Sequence, residues 1–180
     1  QLAVQSPQIY APSVSFVELR FSFKDDNNHP LTLSRTDVTF YDFDASRSGN
    51  VRECIAALGA SSTILPPQST LEPINVRQLS AYTHPHPVEL DELTRTRPYE
   101  TALCGTDSGV GADNPTNPST LTALERSRAV MYSFEQTNHF DVIFAVKREV
   151  PATQCCGPRN SRILLFSGYS DILGIPLCPY

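Results

Sequence analysis

Asp42, Asp44, Ser46, Ser48, Asn50 and Glu53 carry side-chain oxygens at positions 1, 3, 5, 7, 9 and 12 of the stretch DFDASRSGNVRE. That is the ligand spacing of an EF-hand loop, where a tight turn brings alternate oxygens onto one hard calcium ion. Two features depart from it. Arg47 stands where the loop needs a glycine, with Gly49 two residues late, and the preceding DVTFYDFD alternates like a strand instead of a helix. Two readings compete for what is left. Asp42, Asp44, Asn50 and Glu53 could form a looser calcium site at a sheet edge. Alternatively, the aspartates accept hydrogen bonds from backbone N–H groups at the strand end, and Glu53 pairs with Arg52 or Arg47.

Other residues could also do chemistry. CGTDSGVG (104–111) resembles the Gly-Asp-Ser-Gly-Gly nucleophile segment of trypsin-like serine proteases. Thr106 breaks that motif, and none of His29, His84 and His86 has the sequence context of the general base such a serine needs. The longer tract CGTDSGVGADNPTNPST (104–120) reads as a surface loop, rich in Gly, Pro, Asn and Asp. His84-Pro-His86 puts two imidazoles on one side of an extended segment, as in some metal sites, but no acid or cysteine follows at ligand spacing. Tyr82 and Tyr99 flank that loop and are candidate platforms for stacking on a glycan. No enzyme is expected, because no nucleophile, base and carboxylate are grouped.

The five cysteines are Cys54, Cys104, Cys155, Cys156 and Cys178. Their spacings match neither a zinc ribbon nor a CxxC redox pair, so disulfides in an oxidising extracellular setting are expected. The preferred pairing is Cys54–Cys104, with Cys178 joined to Cys156 or its neighbour Cys155. Both NPT and NPS carry proline at the forbidden sequon position, which leaves O-linked sugar on the Ser/Thr/Pro loops as the glycoprotein reading.

The elements that must position these groups are short. Fifteen prolines in 180 residues favour extended segments over long helices. The net charge of −5 and the scattered arginines give no basic surface for nucleic acid. No apolar run reaches the length of roughly 18–20 residues needed to span a bilayer as a helix. In VSFVELRFSFK, Val17, Leu19, Phe21 and Phe23 fall on one face of a half-buried strand. DVTFYDFD, SSTIL, INVRQLSAY, HPVEL, RAVMYSFEQ and FDVIFAVK read as further strands, with QTNH as a hairpin link and RILLFSG as a buried closing strand. Thr122 and Glu125 stand in capping-box spacing and predict a helix of one or two turns. The pattern is an all-β antiparallel sandwich or jelly roll over residues 14–180, preceded over residues 1–13 by an extended arm or a linker from a preceding domain. Because the chain opens at Gln1 and its only methionine is Met131, a processed product or fragment is expected.

Three segments, FSF…VTFYDFD, ALERSRAVMYSFEQTNHFDVIFAV and RILLFSGYSDIL, together resemble uncharacterised secreted β-sandwich modules in surface proteins of microalgae and other protists. The resemblance covers most of residues 14–175 and carries no catalytic signature. It implies an extracellular, non-enzymatic role. The expected function is a structural or adhesive subunit that self-associates, its arm lending a strand to a neighbouring copy to build a filament or surface matrix. The other candidate is a calcium-dependent carbohydrate-binding module of lectin type. Neither a cofactor nor a nucleic-acid partner is required by the first reading; calcium belongs to the second.

Overall fold

The computed structural model describes residues 13–76, 101–109, 114–148 and 164–171. Among these residues nine strands form two antiparallel sheets. They are β1 (Ser13–Ser22), β2 (Leu33–Tyr41), β3 (Val51–Leu58), β4 (Ser62–Ile64), β5 (Leu71–Asn75), β6 (Thr101–Gly105), β7 (Val130–Thr137), β8 (His139–Arg148) and β9 (Leu165–Asp171). A five-stranded sheet has the order β1-β8-β3-β6-β5, and a four-stranded sheet the order β4-β7-β2-β9. The expected all-β sandwich is what the chain forms.

The main core lies between the sheets. Val38, Phe40, Ile55, Leu103, Tyr132, Phe134, Val142 and Phe144 all belong to it, and each comes from the inward face of its strand. A second cluster lines the other face of the five-stranded sheet, with Cys54, Ala56, Ala102, Cys104, Ile143 and Ala145 buried there. Both faces of β3, β6 and β8 are therefore buried. In β8 the two sets interleave: Phe140, Val142 and Phe144 point to one cluster, Ile143 and Ala145 to the other.

Local chemistry sets the boundaries. The DDNNHP turn after β1 is held by Asp25, whose carboxylate accepts from the backbone N–H of Asn27 at 2.9 Å and of His29 at 2.8 Å. The helix α1 (Ala123–Ser127) has the expected capping box. Thr122 Oγ1 accepts from Glu125 N at 3.2 Å, and Glu125 Oε2 accepts from Thr122 N at 2.6 Å.

Several sequence expectations need correcting. QTNH is not a hairpin link, since β7 and β8 lie in different sheets. The chain turns the corner at Gln136, in the left-handed region with φ +48°. Phe134 and Phe140 then stack across the core at 4.5 Å between ring centroids. RILLFSG gives an edge strand, β9, in which Phe166 is 51% exposed. β2 stops at Tyr41, because Asp42 takes a φ of +68° that breaks the alternation. Finally, Cys104 and Gly105 belong to β6 and are buried, so the surface-loop reading of that tract starts two residues too early.

Candidate functional site

The two stretches that drew notice separately in the sequence meet in space. After β2 the chain runs through Asp42–Ala45 in an irregular path. Ala45 bridges to Arg52 on one side and Ser108 on the other. Ala45 N donates to Asp107 O at 2.8 Å, and Gly109 N donates to Ala45 O at 3.2 Å. The segment 105–109 is thus a wall packed against 43–45. Its glycines are there for steric reasons. A β-carbon on Gly105 would run into the Phe43 carbonyl, and one on Gly109 would land on the Asp44 carboxylate. This accounts for the glycines of CGTDSG without a nucleophile.

Asp42, Asp44 and Glu53 are all buried. Asp44 and Glu53 are held reciprocally: Glu53 N donates to Asp44 O at 2.8 Å, and Glu53 Oε2 accepts from Asp44 N at 3.3 Å. The cation facing Asp44 comes from beyond α1. Arg128 Nη1 stands 2.9 Å from Asp44 Oδ1, with both side chains nearly fully buried. Arg128 Nη2 also donates to Ser108 O at 3.0 Å. The guanidinium therefore ties three separate segments together around one carboxylate.

The rest of the calcium-like stretch is a turn that satisfies itself. Ser46 N donates to Val51 O at 2.7 Å and Gly49 N to Ser46 O at 2.7 Å, while Ser46 Oγ accepts from Val51 N at 3.0 Å. Gly49 supplies the left-handed φ of +71° that closes it. Asn50 is half-buried in this turn. Among the described residues no group of three or more His, Cys, Asp or Glu side chains is placed to hold a metal ion. On β3, Arg52 Nη1 meets Glu72 Oε2 of β5 at 3.0 Å.

Cys54 and Cys104 are joined, as the sequence reading preferred, across directly opposed positions of β3 and β6. Cys155, Cys156 and Cys178 lie outside the described residues, as do Tyr82, Tyr99, His84 and His86.

Elsewhere the titratable groups brace strands. Arg20 on β1 forms a two-point bridge to Asp141 on β8, at 2.7 and 2.8 Å. On β2, burial opposes ionisation of Asp37, but hydrogen bonds from Ser133 and Arg35 and the charge of Arg35 outweigh it and hold the carboxyl below its usual range. Burial pushes the Tyr132 phenol well up. Two shallow depressions, about 210 and 170 Å³, adjoin at His139 on the β7–β8 corner. The first is lined by Glu135, Gln136 and Thr137 among others, the second by Arg20, Ser22 and Lys24 among others. Each is smaller than the range of roughly 300–1,000 Å³ usual for small-molecule sites.

The sheet edges differ in how they are protected. β5 carries Glu72 and Pro73, and β4 is only three residues long; both are common ways to blunt an edge. β1 runs ten residues and β9 seven, and neither contains a proline. Val17 on β1 and Phe166 on β9 are large apolar side chains left 44% and 51% exposed. No helix among the described residues is long and apolar enough to cross a membrane.

Comparison with protein-family models, with curated proteins and with solved structures finds no match for this chain.

Proposed function

We propose that this chain is a non-catalytic, extracellular structural or adhesive subunit that assembles with copies of itself. The observation that carries the reading is the contrast between its edges: β4 is three residues long and β5 contains Pro73, while β1 and β9 run ten and seven residues without proline; Val17 and Phe166 are exposed on the long edges, as Ile64 is on β4. Exposed edges of this kind template pairing with another chain. The buried charges fit the same role, because Asp44, Glu53 and Arg128 are spent on joining segments of the fold. The Cys54–Cys104 bond agrees with an oxidising compartment. The strand orders β1-β8-β3-β6 and β2-β7-β4 support a jelly-roll winding, with β5 and β9 as additions. Light scattering over a concentration series, followed by electron microscopy, tests the proposal. Growth of the scattering mass with concentration is the expected result, and a chain that stays monomeric into the millimolar range would end it.

A glycan-binding reading draws on the adjoining depressions at His139, the first with mainly polar walls and the second with Phe23 in its lining, which together could receive a sugar edge. Its test is a glycan array with and without calcium, using His139→Ala as the control. Loss of binding in that variant supports the reading, and binding that ignores the substitution removes it.

A further inference from the structure

The exposure of Val17 and Phe166 is unusual because both belong to inward faces. Val17 lies directly opposite Phe144 on β8, and Phe166 directly opposite Phe40 on β2. Opposed residues in a ladder share a face, and Phe144 and Phe40 are core residues. The two edge strands are also neighbours across the sandwich: the rings of Phe21 on β1 and Phe166 on β9 meet edge-on at 5.1 Å. Together β1 and β9 thus flank an apolar seam along one side of the molecule, closed by Phe21 and open beside Val17 and Phe166. Further along the inward face of β9 stands Gly168, opposite Val38. A β-carbon there would meet nothing nearer than 3.7 Å, so the position has room for a side chain that the sequence does not supply.

We infer that this seam is the acceptor for residues 1–12 of a second copy, which add as a further strand to the outer edge of β9, an edge that pairs with no strand among the described residues. The inference rests on the assembly reading above and names its contact. Three features select this occupant. The segment carries no charged side chain, and neither does β9 before Asp171, so no charge is buried when they pair. In GlnLeuAlaValGlnSer, the run before Pro7, Leu2 and Val4 fall on one face at strand spacing, suited to the space beside Phe166 and over Gly168. Twelve extended residues reach about 40 Å, ample for a seven-residue edge.

The donor is another copy because of how the segment joins its own sandwich. In sequence it directly precedes β1, which begins at Ser13, opposite Arg148. Pro12 biases Ala11 toward extended conformations and away from the helical turn that a tight reversal onto its own seam would use. A donor contact between unlike surfaces does not close on itself, so it propagates.

The experiment uses the full chain carrying the photo-crosslinker substitution Gln5→p-benzoyl-phenylalanine, with natural-abundance and nitrogen-15-labelled protein mixed before assembly. Irradiation should give mixed-isotope crosslinks from position 5 to peptides containing Val17 or Phe166. In parallel, Phe166→Asp should raise the concentration needed for assembly at least tenfold while leaving the circular dichroism unchanged, and Ile64→Asp, on the opposite edge, should not. Assembly with crosslinks confined to one chain or directed to β4 or β5 overturns the contact but leaves the assembly reading standing. So does a Phe166→Asp variant that assembles like the parent. A parent chain that never assembles overturns both.

Discussion

At Asp44 the structure pairs a buried carboxylate with Arg128, brought in from the far side of α1. Removing one member of a buried ion pair leaves the other charge uncompensated, which typically costs about 3–5 kcal/mol. Arg128→Leu should therefore lose roughly that much stability in urea denaturation, and adding Asp44→Leu to it should recover a substantial part. If Arg128→Leu costs under about 1 kcal/mol, the pair is not the clamp described. Much of this site was legible in the sequence, but not its wiring. Asp42, Asp44 and Glu53 were visible as a regular series of oxygens, and CGTDSG as a compact glycine motif. Nothing local connects them. Arg128 and Gly109 become partners of Asp44 only through the fold, and a ligand series and a buried ion-pair anchor use the same acidic residues.

Among the elements, those with one wet face were the easiest to read. β1 and β7 alternate as their sequences predict, and α1 has the capping box that Thr122 and Glu125 announce. β3 and β6 were missed. Their side chains are buried on both faces, Ile55 and Leu103 in one cluster and Cys54, Ala56, Ala102 and Cys104 in the other, so the period-two contrast disappears. Alanine, a weak strand former, fills several of these positions. The β7–β8 link failed differently. A short polar break between strands looks the same whether the chain returns in its own sheet or crosses to the other. The disulfide makes β3 and β6 a unit with a testable weight. It closes a loop of sequence separation 50, and the chain-entropy account assigns such a loop about 4 kcal/mol. A Cys54→Ala/Cys104→Ala chain should unfold at correspondingly lower denaturant, and reductant should then make no further difference to that bond's contribution. An unchanged midpoint would show that the two strands hold without it.

For the whole molecule, the asymmetry of its edges is the organising fact. Among the described residues two edges are short or carry proline and two are long and proline-free along one seam, and the arm that is proposed to fill a neighbour's seam directly precedes β1 in sequence. That continuity determines how the sandwich would carry load. Tension arriving through residues 1–12 pulls β1 along its own axis, against a ladder that pairs every residue from Ser13 to Ser22 with β8. The bonds are then sheared together and not peeled one at a time, and Arg20 pins the same strand to Asp141. Behind that ladder the Cys54–Cys104 bond withholds the intervening chain from extension. In single-molecule pulling, reduction should lengthen the unfolded tether by roughly 170 Å, the span of 50 extended residues. A subunit built this way yields at high force and then stops short, as a link with a built-in limit on its stretch.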